Sequence, residues 1–243
     1  MIPLQRVPAP SRTQTLLERW TARVQSAGAT TKAARAEWKQ AKAPRRHVRE
    51  LLESMAHGAV RCMYCDDSRG TDIDHFQPLA CAPLRAFDWD NHLFACAWCN
   101  SNDKQGRYPL AEDGSCLLID PTVDDPADHL LLRFRSCLYE GLTAKGKASI
   151  KVFGLNRPDL LDGRARAFTT ACLVIEGWHQ RHLAGDPSAE EKARALLESP
   201  FVDVVYSLAR LDPEIAETVL EEQTLPALEA WRGVYGTAPA LVH

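Results

Sequence analysis

Residues 11–58 alternate alanine and other apolar positions with arginine and lysine, the pattern of amphipathic helices, with a break expected at Ala43-Pro44 and an end near Gly58. Trp20 and Trp38 are expected to anchor this stretch to a core, because buried aromatics are mostly packing residues. From 59 to 110 the apolar runs shorten. Thr71 to Phe76 reads as a strand, Gln77 to Asp88 as a proline-containing loop, and His92 to Ala95 as a second strand. A helix is predicted to begin around Trp98 and to stop near Gly106 or before Pro109. Beyond it, Cys116 to Ile119 and Leu130 to Phe134 read as short strands and Ser149 to Leu155 as helix. A long helix is predicted over 158–181, with further helices over 187–235 separated at Pro200, Pro213 and Pro226. The fold class expected is α+β and mostly helical. Its regions are a basic helical amino-terminal part (1–58), a strand–loop–strand–helix core (59–110), and short strands followed by helices (111–243).

The chain is 45% hydrophobic and 25% charged, which suits an ordinary globular protein, and its net charge of −3 identifies no partner. The distribution says more. Residues 1–50 carry eleven Lys/Arg against Glu18, Glu37 and Glu50, so the remainder is acidic. A basic arm suits a polyanion, although an Arg-rich solvated helix face explains the same charge; an acidic tail suits a protein partner. No apolar run follows the first positive charges as in a signal peptide, and none approaches the ~18 residues of a membrane span. A cytoplasmic protein without a disulfide framework is therefore expected.

The cysteine spacing changes the picture most. Cys62-x2-Cys65-x30-Cys96-x2-Cys99 supplies two knuckles, each able to present two sulfurs to one ion, as in closed structural Zn(Cys)4 sites. A dithiol redox motif would need one such pair at a helix start within a βαβ pattern, which is absent here. Cys81, Cys116, Cys137 and Cys172 are scattered and read as core or incidental. Between the knuckles stand Asp74 and His75, and Asn100 follows the second directly. A carboxylate and an amide oxygen suit a hard cation such as Mg²⁺. A neutral imidazole is a suitable base near pH 7. Neighbours on a strand face opposite ways, so both can serve one site only if the strand ends or twists there. Lys104, four residues after Asn100, would place an ammonium near a phosphate.

These residues resemble the HNH (ββα-metal) endonucleases: Cys62…Cys65, Asp74-His75-Phe76-Gln77-Pro78, Asp88-Trp89-Asp90-Asn91-His92-Leu93, and Cys96…Cys99-Asn100…Lys104. The resemblance implies a ββα-metal core with zinc knuckles, flanked by amino- and carboxy-terminal helices. It implies His75 as the general base, Asp74 and Asn100 as ligands of a catalytic Mg²⁺ or Mn²⁺, and Asn91 as holder of the loop that orients His75. The last His of the family name is Asn100 here, an exchange that disfavours soft transition metals. A narrower similarity, to the HNH subunits of Septu-type and retron-linked antiphage systems, rests also on Leu118-Ile119-Asp120-Pro121 and Phe153-Gly154-Leu155-Asn156-Arg157, with one extra residue before Lys104. Those subunits act with an ABC-type ATPase. The activity implied is DNA phosphodiester hydrolysis, with Lys104, Arg107 and the basic arm on the phosphates and a homodimer turning nicks into double-strand breaks. The alternatives are an HNH nuclease acting on RNA and a non-catalytic zinc module binding nucleic acid or protein.

Three histidine positions have other readings. His92 is able to replace Asn100 beside the metal, but packing or support is the favoured role. His179-x2-His182 reads as a surface pair and His57 as a helix-end cap.

Overall fold

The computed structural model describes residues 1–236, an α+β chain dominated by helix. Three helices open it: α1 (Ser11–Ser26), α2 (Thr31–Gln40) and α3 (Lys42–Met55). In α3 the buried positions are Pro44, Val48, Leu52 and Met55, a single stripe at helical spacing. The chain breaks at 27–30, where Gly28 takes φ +91°, and again at Ala41. It does not break at Pro44, which is the third residue of α3. First-turn N–H groups have no partner inside a helix, so proline costs little there. Pro226 is likewise the third residue of α9 (Thr224–Tyr235), where a separation between helices was expected.

Two four-residue strands, β1 (Asp72–His75) and β2 (His92–Ala95), pair antiparallel with Asp74 opposite Leu93 and His75 opposite His92. A 3-10 turn, Pro83–Phe87, lies in the loop between them. Trp20 of α1 and Trp38 of α2 pack on Phe87 at 5.5 and 5.4 Å between ring centres, so the helices roof that loop. After β2 the chain winds as a π-helix over Trp98–Lys104, with the Gln105 N–H reaching back to the Asn100 carbonyl. Such winding accommodates one residue more than an α-helical turn.

A second hairpin, β3 (Leu130–Arg133) with β4 (Leu138–Gly141), follows. β4 escaped the sequence reading because Leu138-Tyr139-Glu140-Gly141 is too short to display a period. Cys116 to Ile119 is not a strand; it makes one isolated bridge to Leu110, and the Ile119 N–H is taken by Ser149 Oγ. The rest is helical: α4 (Ala144–Val152), α5 (Pro158–Leu183), α6 (Ser188–Leu197), α7 (Val202–Ala209), α8 (Pro213–Val219) and α9. α5 is the spine of this half, with Trp178 packed edge-on to Trp231 of α9 at 5.2 Å and Gly163 lying against the Phe201 ring. No helix among the described residues is long and apolar enough to cross a membrane.

Candidate metal centre and hydrolytic site

The first knuckle follows α3 and is laced to β2 by the Met63 N–H on the Phe94 carbonyl (2.8 Å). The second joins the end of β2 to the π-helix. All four sulfurs are buried within 4.8 Å of one another, and Cys65 and Cys96 Sγ stand 3.9 Å apart. Four thiolates at ~2.3 Å from one zinc ion lie ~3.8 Å apart at tetrahedral angles, so the cluster fits a structural zinc.

Strand alternation then sorts the polar residues. Asp74 projects toward Tyr64 and Lys104, and its Oδ2 accepts from the Tyr64 hydroxyl and the Lys104 ammonium, each at 2.5 Å. The ammonium also donates to the His75 carbonyl at 2.8 Å. Lys104 is 1% exposed, so it faces inward rather than toward a phosphate in solvent. Arg107 is exposed, with its guanidinium on the Lys104, Asp103 and Val152 carbonyls. Asn100 donates not to Asp74 but to Asp72 Oδ2, at 3.2 Å. Asp72 and Asp74 share a strand face.

A buried ion pair of this kind is costly to break from one side, because the survivor keeps its charge without compensation. Lys104→Met is expected to cost ~3–5 kcal/mol in urea unfolding, and Asp74→Asn added to it should recover most of the loss. An unchanged midpoint for Lys104→Met would show that the pair carries no stability.

His75, the last residue of β1, leaves the opposite face and is half-buried. Trp38 meets it edge-on at 4.5 Å between ring centres, and His92 lies 5.0 Å away. Its Nε2 is 3.0 Å from the Ala86 carbonyl, and His92 Nε2 is 3.1 Å from the same oxygen. A carbonyl only accepts, so in the neutral ring Nε2 carries the proton and Nδ1 keeps the lone pair. Burial holds the His75 pKa below its ordinary value, outweighing the Ala86 carbonyl and Asp74, which favour the proton. His92 is fully buried, stacked on Trp38 at 5.1 Å, and pushed well below the ordinary value by burial and then by His75.

Asn91 is fully buried and clamps the loop: Oδ1 accepts from the Gln77 N–H (2.7 Å), and Nδ2 donates to the Gln77 and Arg85 carbonyls (3.0 and 3.1 Å). Arg85 and Ala86 are neighbours, so this clamp also fixes the carbonyl that holds His75. Of the basic arm, Arg6 is drawn inward onto the Trp89 and His92 carbonyls and Thr122. Arg12, Arg19, Lys32, Arg35, Lys39 and Lys42 remain on the surface. His182 stacks on Trp178 at 4.9 Å, and His57 is buried beside the Ser199 carbonyl.

The structure thus brings Asp74 together with Lys104, Asn91 with the loop under His75, and Asn100 with Asp72. Tyr64, Asp72 and Arg157 are polar partners that the sequence reading left out. Tyr64 lay in view inside the first knuckle, and Arg157 inside the Phe153–Arg157 stretch.

The chain is similar to the Septu protein PtuB of Bacillus mycoides (strain KBAB4), 27% identical over 149 residues, 49% of this chain and 50% of that protein. To the Septu protein PtuB of Bacillus thuringiensis it is 33% identical over 106 residues, 42% of this chain and 38% of that protein. The matches therefore span half or less of these curated relatives. No family model matches the chain, and no solved structure matches it.

Proposed function

We propose that this chain is a metal-dependent endonuclease of the HNH (ββα-metal) type that cleaves DNA in antiphage defence together with an ATPase partner. The observation that carries the reading is the His75 ring. Its Nε2 lies on a carbonyl that Asn91 holds in place, so in the neutral ring that burial favours, Nδ1 is left as a base. In phosphodiester hydrolysis that nitrogen takes the proton of the attacking water while the bond from phosphorus to the 3′ oxygen breaks, leaving a 5′-phosphate and a 3′ oxygen that takes its proton from solvent. Asp74 and Asn100 would hold the catalytic Mg²⁺ or Mn²⁺, with Asp72 beside them. All three offer oxygen, as a hard cation requires, and such an ion neutralises charge on the phosphate and leaving group. The ion would have to use Asp74 Oδ1, because Oδ2 already receives Tyr64 and Lys104. The exposed cations of α1 to α3 and Arg107 would contact phosphates. Similarity to the Septu proteins supports the defence role; the ATPase partner follows from the resemblance to the HNH subunits of such systems.

The Lys104–Asp74 pair favours the second reading, a zinc module that binds without cutting, since it already balances the charge of Asp74. Incubation of the purified chain, alone and with its ATPase, with supercoiled plasmid and with RNA separates these readings. Open circles that require Mg²⁺ or Mn²⁺ and vanish with EDTA are expected. Cleavage of RNA alone would move the target, and binding without cleavage of either would establish the module.

A further inference from the structure

The Phe153–Arg157 stretch supplies neither a zinc ligand nor a hydrolytic residue, yet it packs on both knuckles and on the π-helix. Phe153 stacks on Tyr64 of the first knuckle, 4.0 Å between ring centres. Gly154, at φ +59°, lies so close to the Asp103 carboxylate of the π-helix that a Cβ would collide with it. Asn156 holds the backbone of Tyr139 through both side-chain atoms. The turn therefore presents Arg157, just before α5, to the metal cluster from a fixed frame.

Arg157 Nη1 lies 3.6 Å from Cys99 Sγ, 3.5 Å from Asp103 Oδ2, and 3.4 Å from each of the Phe153 and Gly154 carbonyls. Its Nε donates to Asp159 at 3.0 Å, and its Nη2 is buried with no hydrogen-bond partner. The side chain is 12% exposed. Zinc with four thiolates carries a net charge of −2, expensive in a buried site unless hydrogen bonds and counter-charge offset it. A guanidinium is permanently charged and donates in a planar fork, so it suits that task better than an ammonium.

We infer that Arg157 is the outer-sphere partner of the zinc tetrathiolate: it donates N–H···S to Cys99 and offsets part of the cluster's charge. Through Asp103 it also braces the π-helix that carries Cys99, Asn100 and Lys104. This makes Arg157 a positioning residue acting through Cys99. The inference rests on the zinc reading of the four cysteines. The alternative is a purely local role, capping two carbonyls and pairing with Asp159.

The test is zinc transfer from the full-length protein to a chromogenic chelator at neutral pH, in wild type, Arg157→Gln, Arg157→Lys and Asp159→Ala. Outer-shell partners typically change metal affinity ~10–100-fold. Arg157→Gln is expected to release zinc about that much faster, Arg157→Lys by an intermediate factor, and Asp159→Ala at the wild-type rate. In the cobalt-substituted protein, loss of the N–H···S bond should shift the thiolate-to-cobalt band to longer wavelength. Equal release from Arg157→Gln and wild type, or equally fast release from the Gln and Lys variants, overturns the assignment. If Arg157→Gln does not fold, Arg157→Lys decides alone, and a wild-type rate with an unshifted cobalt band overturns it. A wild-type protein that purifies without zinc refutes the zinc reading itself, which is a separate result.

Discussion

Exchange of His75 for glutamine is expected to lower metal-dependent nicking by about 10²–10⁴-fold, the usual contribution of a positioned general base. Zinc content and the unfolding midpoint should stay near wild type. Glutamine is the informative choice because its amide can still donate to the Ala86 carbonyl and fill much of the space beside Trp38 and His92. It lacks a basic nitrogen with a pKa near neutrality, so the chemistry is lost and the packing kept. Alanine would remove the ring contacts as well, and any loss of activity would then mix catalysis with stability. Nicking at the wild-type rate by a folded, zinc-loaded His75→Gln protein would remove His75 from the reaction. His92 would not inherit the role, being fully buried with a fully enclosed Nδ1.

What could be read from sequence was whatever depended on local spacing. The four cysteines announced their cluster because knuckle geometry is fixed by two intervening residues, and β1 and β2 followed from short apolar runs between turn residues. The helix after Cys96 was legible as a helix but not as a π-helix, since one additional residue leaves no mark on apolar periodicity. That residue helps decide where Lys104 points, so an ammonium read as a phosphate contact is found on Asp74 instead. Asn100 on Asp72 is a similar case. Both carboxylates share one face of β1, and nothing in the sequence selects between them. The role of Arg157, though the residue itself lay in the Phe153–Arg157 stretch, was beyond reach for a different reason. Arg157 stands 58 residues from Cys99, and only the folded chain brings a guanidinium to that sulfur.

Cys62→Ser should be the most damaging single exchange, expected to leave the protein with little zinc and to lower its unfolding midpoint by ~10–20 °C. Two strands of four residues cannot hold themselves together in water, so β1 and β2 need an external clamp. Apparent zinc binding in small four-ligand peptides is ~10–16 kcal/mol, comparable to the whole stability of a typical domain. Losing even about 5 kcal/mol of it corresponds to the stated shift for a chain of this size. The damage should spread from the knuckle by an identifiable route. Asp66, next to Cys65, accepts the Val202 N–H at 2.7 Å and gives its carbonyl to the Phe201 N–H at 3.1 Å. It therefore caps α7 from the first knuckle. Limited proteolysis of Cys62→Ser should cut first within 60–110, with the α5–α9 packing around Trp178 and Trp231 surviving longer because it buries its own apolar surface. Removing zinc from the wild type with a chelator should reproduce this pattern, and restoring zinc should reverse it. A Cys62→Ser protein with full zinc occupancy and a wild-type midpoint would mean that the cluster does not brace the strands, and that the position of His75 must be explained by the Asn91 clamp and the roof of α1 and α2.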